Sequence, residues 1–416
     1  MDLTKGQKQG LDMARRLVKA DGHRIGILAG FAGTGKTTLL KTIAEETGMP
    51  VVITPTGKAA ARVKQAAGIG AMTVHRWQYE ALYDEQTGLV SFAKRPPDQL
   101  PQGESGLLVI EEASMIGRDL WNDILDNAIM LGLKVLCIGD PFQLPPVEQE
   151  RDREPFSILD SQGGIAHEYV LMSEVMRQAL ESPVIRASMK IRDGDILGAM
   201  GILPHVKPKD FIDKGTRIQA QGGVVIVHRN ETRHWANVEI RKVRGFPSEV
   251  QSGEPILVLK NQYDLQAFNG ETYRFDSWHE RTPTQHTVMD RWAKTREKTG
   301  FGIANLSDGE RGLEFRGIIA EEELSGKLKS GFGAIEKTGA ILFRGLPMIH
   351  ANFGYAMTVH KAQGSEWPEV LVGMEPSIRF WGKSREESLR WMYTATTRSR
   401  EKCFISVGVG AGTEAL

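Results

Sequence analysis

Residues 24–37 read Arg24-Ile25-Gly26-Ile27-Leu28-Ala29-Gly30-Phe31-Ala32-Gly33-Thr34-Gly35-Lys36-Thr37, an apolar run passing into a glycine-rich loop. The last eight residues match the phosphate-loop pattern G-x-x-x-x-G-K-[ST], in the context it requires: a strand before it and a helix after it. Residues 36–47 have the composition of that helix. The loop glycines and the first helical residues, from Gly30 through Phe31, Ala32, Gly33, Thr34 and Gly35 to Thr38, can turn backbone N–H groups toward a triphosphate. Lys36 would reach the β- and γ-phosphates, and Thr37 would hold Mg²⁺.

Further apolar runs lie at 51–54, 107–110 and 134–138. They alternate with helical stretches at 2–20, where Leu11, Ala14 and Leu17 fall on one face, and at 57–67. Such alternation predicts a parallel sheet covered on both faces. Two of these strands run into polar residues suited to chemistry. Leu107-Leu108-Val109-Ile110-Glu111-Glu112-Ala113-Ser114 ends an apolar strand in two carboxylates. Glu111 is expected to hold Mg²⁺ through its water shell, and Glu112 to orient and deprotonate an attacking water. Gly139-Asp140-Pro141-Phe142-Gln143-Leu144-Pro145-Pro146-Val147 follows the next strand, and Gln143 could sense a γ-phosphate there.

A second α/β pattern begins near Tyr169, with apolar runs at 224–227, 370–372 and 403–407. Its polar segments are Glu174-Val175-Met176-Arg177-Gln178, Thr358-Val359-His360-Lys361-Ala362-Gln363-Gly364-Ser365-Glu366-Trp367 and Tyr393-Thr394-Ala395-Thr396-Thr397-Arg398. An arginine aimed at a γ-phosphate across a cleft stabilises transition-state charge. Residues 83–105, rich in Pro, Gln, Gly and Asp, break the first alternation and read as an inserted hairpin or loop. Residues 253–344 hold short β-rich pieces and turns such as Asn269-Gly270, and read as an inserted small β-barrel. The polar stretch 281–299 reads as a helix or loop interrupting it.

The whole chain has 416 residues, with 52 Lys and Arg against 52 Asp and Glu. Zero net charge excludes a surface basic all over, yet allows a local groove for a polyanion. The two cysteines, Cys137 and Cys403, sit in apolar runs and cannot form a zinc ribbon or a disulfide framework, which fits a reducing compartment. The opening MDLTKGQKQG lacks the apolar core of a signal peptide, and no apolar run approaches a membrane span.

Taken together, these segments resemble a superfamily 1 helicase of the RecD-like and Dda-like group, in the family's motif order over nearly the whole chain. The resemblance implies an α/β fold of two RecA-like P-loop domains with parallel sheets and ATP between them. The first would span 1–150, with a strand-splitting pin at 83–105. The second would span 151–252 and 345–416, with an SH3-like domain inserted at 253–344. Leu3-Thr4 with Gln7 resembles the segment that reads adenine, and Gly364 and Glu366 belong to the segment that touches nucleotide. Arg177 and Arg398 take the place of the arginine fingers. Single-stranded DNA would lie on Thr54, Pro55, Thr56, Lys58, Thr73 and His75 of the first domain, and on Asn237, Thr358 and His360 of the second. Phe92, in the pin, would part the strands, while Trp77 and Phe142 could stack on bases.

The implied activity is ATP-dependent, Mg²⁺-requiring unwinding of DNA with 5′-to-3′ movement. Three alternatives stay open: a translocase that strips proteins and unwinds weakly, a nucleic-acid-binding module with a weakened ATPase, and an RNA substrate. Expected partners are single-stranded and forked DNA and a single-strand-binding or replication protein, with no membrane, for a monomer in the cytoplasm of a bacterial or phage-infected cell. One departure stands out. The family has Asp-Glu where this chain has Glu111-Glu112. A contact running through water tolerates the added methylene, so activity is expected to be retained.

Overall fold

The computed structural model describes residues 3–83, 90–146, 156–160, 167–260, 262, 265, 267–282, 285–290, 295–308, 313–324, 343, 346–375 and 384–410. Ile25–Gly30 is buried along its whole length, as a strand with neighbours on both edges and helices on both faces must be. It lies inside a six-stranded sheet in the order Ala71–Thr73, Val51–Thr54, Leu107–Glu111, Lys134–Gly139, Ile25–Gly30, Glu168–Met172. Every pairing in it is parallel. The register sets Ala29 opposite Gly139 and Ile138 opposite Glu111, so three strands end level on one edge. That carboxyl edge is where open parallel sheets bind ligands.

The second parallel sheet has four strands, in the order Ala356–Thr358, Val224–Val227, Trp367–Met374, Ser399–Val407. The sheets take in residues differently from the expected division at 150. Glu168–Met172 hydrogen-bonds along Ile25–Gly30 as an edge strand of the first sheet, so that unit reaches at least Met172. At the far end, Ala351–Phe353 pairs with Pro255–Val258 and belongs to the antiparallel sheet between the two halves of the second unit.

That inserted sheet runs Leu313–Ala320, Phe301–Asp308, Thr272–Arg281, Pro255–Val258, Ala351–Phe353, all antiparallel. Register shifts at Phe275/Ser277 and Trp278/Glu280 bend Thr272–Arg281. The polar stretch 281–299 is not a helix or an irregular loop among the described residues. It forms the hairpin His286–Asp290 with Thr295–Thr299. A second hairpin, Tyr79–Tyr83 with Val90–Lys94, rises from the first unit. Its base is tied to the helix Arg118–Met130 by Asp123, which accepts from Tyr79 Oη at 3.0 Å and pairs with Lys94. The tip at 84–89, the Phe92 side chain, Val147 and residues 325–342 lie outside the described residues.

Candidate nucleotide site and the seam between the two units

The phosphate loop is shaped by its glycines. Gly33 and Gly35 hold φ of 78° and 80°, which an L side chain rarely adopts. A Cβ on Gly35 would also come 2.6 Å from Gln7 Nε2 and from Met176 Sδ, so the loop is clamped from both sides. Gln7 was expected to read adenine, but its amide is engaged within the protein. Its Oε1 accepts from Thr4 N–H at 2.9 Å, completing a capping box with the Thr4 hydroxyl, and its Nε2 donates to the Thr34 carbonyl at 3.1 Å. Gln7 therefore braces the loop. Lys36 Nζ donates to the carbonyls of Gly30 at 2.8 Å and Phe31 at 3.1 Å, folded back over the loop it follows.

Glu111 and Glu112 face this loop from the neighbouring strand end. Thr37 Oγ1 donates to Glu111 Oε1 at 3.2 Å, so the longer side chain reaches the threonine that the phosphate-loop pattern assigns to Mg²⁺. Both carboxylates are buried, and Oε2 of each has no hydrogen-bond partner among the described residues. Burial, then the charge of Glu112, push Glu111 up to about 7 against the pull of Arg62 and Lys36. For Glu112 the burial penalty is outweighed by the charges of Arg62, Arg398 and Lys36, and its pKa is lowered. Glu112 is also the one non-glycine residue with positive φ, 57°, among the described residues, a conformation that concentrates at functional sites. Two open carboxylate oxygens beside a hydroxyl suit Mg²⁺, which takes few protein ligands and fills the rest of its shell with phosphate and water. Among the described residues no group of three or more His, Cys, Asp or Glu makes a closed metal cage.

The second unit reaches this site through the helix Arg385–Thr396 and the turn after it. Tyr393 Oη donates to Asp140 Oδ2 at 2.6 Å and accepts from Ala32 N–H at 2.8 Å. One phenol thus joins the phosphate loop, the loop after Lys134–Gly139 and the second unit. Arg390 donates to the carbonyls of Pro141 at 2.7 Å and Gln143 at 3.3 Å. Leu144 N–H donates to Thr394 Oγ1 at 3.0 Å, and Gln363 Nε2 to the Leu144 carbonyl at 2.8 Å. Gln143 itself is buried with its Oε1 unpartnered. Arg398 is buried, held by the carbonyls of Thr394 and Ser365 and by Thr397 Oγ1, and its charge acts on Glu112. Arg177 is exposed at the start of Arg177–Leu180, immediately after Met176, whose N–H donates to the Gly33 carbonyl at 3.0 Å.

The residues expected to touch DNA fare less evenly. Thr54 is fully buried and spends its hydroxyl on the Thr56 carbonyl at 2.8 Å. Thr56 and Thr73 are N-caps, accepting from Ala59 and Arg76 N–H at 3.2 Å each. Asn237 is buried and makes a two-way bond to the Ala356 backbone, at 2.8 and 3.2 Å, so it is a structural pin for the strand Ala356–Thr358. Trp77 is core, with its indole N–H on the Pro101 carbonyl, and Phe142 packs edge-on against Tyr393. Pro55, Lys58, His75 and His360 keep partial or full exposure, while Thr358 is buried at the entry to Val359–Ala362. Gly364, with φ of 74°, and Glu366 face Thr56 and Arg62 of the first unit. The motif reading missed Arg62, Asp140 and Arg390. Arg62 had one visible signal: two adjacent buried carboxylates require a counter-charge, and Arg62 lies one helical turn beyond Lys58 on the same face.

The fold and site define a P-loop nucleotide-binding protein whose site is completed by a second parallel-sheet unit. Residues 2–215 match the family model described as AAA domain, and residues 353–406 match that of the UvrD-like helicase C-terminal domain. The chain belongs to the AAA domain family, with a UvrD-like helicase C-terminal match near its end. It is 28% identical to the ATP-dependent RecD2 DNA helicase of Deinococcus radiodurans, over 96% of this chain and 49% of that protein. It is 25% identical to the RecBCD enzyme subunit RecD of Mycobacterium tuberculosis, over 96% of this chain and 70% of that one. The chain thus spans about half the length of the RecD2 relative. Pif1 helicases solved on forked double-stranded DNA share the fold, with a TM-score of 0.52 at 19% identity over 98% of this chain and 92% of theirs.

Proposed function

We propose that this protein is an ATP-dependent DNA helicase that moves 5′-to-3′ along single-stranded DNA and separates duplex at a fork. The observation that carries the reading is the meeting of Lys36, Thr37, Glu111 and Glu112 from one unit with Tyr393 and Arg398 from the other. Lys36 would leave the Gly30 and Phe31 carbonyls for the β- and γ-phosphates of ATP, with the backbone from Gly30 to Thr38 around them. Glu112, kept ionised by Arg62, Arg398 and Lys36, is the group to orient and deprotonate the attacking water. Thr37 and Glu111 would hold Mg²⁺, which supplies charge neutralisation at the phosphates. Arg398 and Arg177 would stabilise transition-state charge, with Gln143 beside the γ-phosphate.

Contacts from both units to one nucleotide favour the closed cleft, and loss of the γ-phosphate relaxes it. Alternating closure would carry the strand past Pro55, Lys58 and His75 on the first unit and His360 on the second, through contacts to phosphate with weak sequence preference. The hairpin Tyr79–Tyr83/Val90–Lys94 would serve as the strand-splitting pin, and the antiparallel sheet between Pro255 and Phe353 as an SH3-like domain. The single-strand-dependent step is tested by Mg²⁺-ATP hydrolysis with and without oligo(dT), which the reading expects to be strongly stimulated. Stimulation by oligo(U) to the same extent would instead favour an RNA substrate. Hydrolysis indifferent to any nucleic acid would overturn the reading.

A further inference from the structure

The helix Gly57–Ala67 lies along residues 363–367 of the second unit, and three contacts run down this seam. Lys58 Nζ stands 5.4 Å above the Trp367 ring. Gly364 approaches so closely that a Cβ there would sit 2.7 Å from Thr56 Oγ1. One turn further along the helix, Arg62 Nη1 donates to Glu366 Oε1 at 2.9 Å. The same guanidinium turns its Nη2 to Glu112 Oε1 and lies 3.5 Å from Glu111 Oε1. One planar fork therefore bridges a carboxylate of the second unit and the two carboxylates that face the phosphate loop.

We infer that Arg62 is a positioning residue through which the second unit, by way of Glu366, sets the orientation of Glu112. Glu112 needs such a guide, since its backbone holds a left-handed conformation and its Oε2 has no partner among the described residues. Arg62 is well placed to supply it, because a fork engaged on one side by Glu366 has fewer ways to address Glu112 on the other. Lys58, which stands over Trp367 in the same seam, belongs to the surface proposed above for DNA. A strand bound there would adjust the seam, and Arg62 would pass the adjustment to the water-activating carboxylate. The inference rests on the proposed ATPase reading and assigns that site its internal coupling.

The test is steady-state Mg²⁺-ATP hydrolysis with and without oligo(dT), with kcat and KM resolved, for wild type, Arg62→Gln, Arg62→Lys, Glu366→Gln and Arg62→Gln/Glu366→Gln. Loss of one charge-assisted hydrogen bond predicts a fall of about tenfold or more in kcat for Arg62→Gln with little change in KM for ATP. Arg62→Lys, which keeps the charge without the fork, should recover part of it. Glu366→Gln should lower the stimulation factor, and the double variant should match Arg62→Gln, because one contact cannot be lost twice. Glu366 is partly exposed, so its variant reads the coupling even where Arg62 substitutions fold poorly. Wild-type kcat and stimulation in Arg62→Gln, an unchanged stimulation factor in Glu366→Gln, or multiplicative effects in the double variant would overturn the inference while leaving the ATPase reading intact. A wild-type protein without DNA-stimulated hydrolysis would remove the reading itself.

Discussion

Tyr393→Phe removes one oxygen from the point where both units and the phosphate loop meet. The ring is buried and packs edge-on against Phe142 at 5.2 Å, and the substitution keeps that packing. What is lost is a donor to Asp140 Oδ2 at 2.6 Å and an acceptor for Ala32 N–H at 2.8 Å. Asp140 is fully buried, and its remaining described side-chain bond is from Phe142 N–H to Oδ1 at 2.9 Å. Burial already raises its pKa against the pull of Lys36 and of the Tyr393 hydroxyl, so removing the hydroxyl raises it further. A hydrogen bond to a buried charged group is worth about 1.5–3 kcal/mol, while the Ala32 N–H, being partly exposed, can turn to water at small cost. A loss of about 2 kcal/mol lowers a thermal midpoint by roughly 4–8 °C in a unit of this size. Calorimetry on the nucleotide-free protein reads that shift. A midpoint within about 1 °C of wild type would show that the phenol does not join the two units, and the reasoning would be wrong.

Asn237→Ala strips both bonds to the Ala356 backbone and leaves buried polar groups open, so it should cost about 1–3 kcal/mol in urea unfolding. It should leave DNA affinity of the folded protein unchanged; a selective loss of DNA binding would restore the contact role first expected for it. Asp123→Ala frees the base of the hairpin Tyr79–Tyr83/Val90–Lys94 from the helix Arg118–Met130. Fork unwinding should fall while oligo(dT)-stimulated hydrolysis persists, and an equal fall in both would deny the hairpin a separate role. Glu111 stands at about 7 and must lose its proton to hold Mg²⁺. The proton is bound below that value and absent above it, so affinity for Mg²⁺-ATP should rise between about pH 6 and 8, with proton uptake by buffer seen calorimetrically at the low end. A flat affinity across that range would contradict the raised value.

The convergence of the phosphate loop and the carboxylates on one sheet edge was legible because these residues sit at fixed offsets from strand ends. Ile25–Gly30, Leu107–Glu111 and Lys134–Gly139 announce themselves by unbroken apolarity, and their parallel register delivers Gly30, Glu111 and Asp140 to one edge. Small polar residues were not legible in the same way. Thr54, Thr56, Thr73 and Asn237 have side chains that suit a phosphate and a backbone equally, and only their tertiary surroundings assign them to caps and strand pins. Residues 281–299 misled because a hairpin with few apolar residues lacks the alternation that marks a strand, and its pairing is decided by the opposite strand. Glu168–Met172 joins the first sheet without announcing it in the sequence, for a related reason. An edge strand added after a long connection carries no local sign of the sheet it joins.

Hydrolysis at the Lys36 site is proposed to drive directional separation of DNA strands. The measurement that bears on it most directly is ATP-dependent unwinding of one forked duplex bearing a 5′ single-stranded tail and of another bearing a 3′ tail, for wild type and Lys36→Ala. The 5′-tailed fork should be unwound and the 3′-tailed one little, with a loss of about a hundredfold or more in the variant, the scale for removing a charged group aimed at the reacting phosphate. Preference for the 3′ tail would contradict the direction of movement. Unwinding by Lys36→Ala at the wild-type rate would contradict the claim itself.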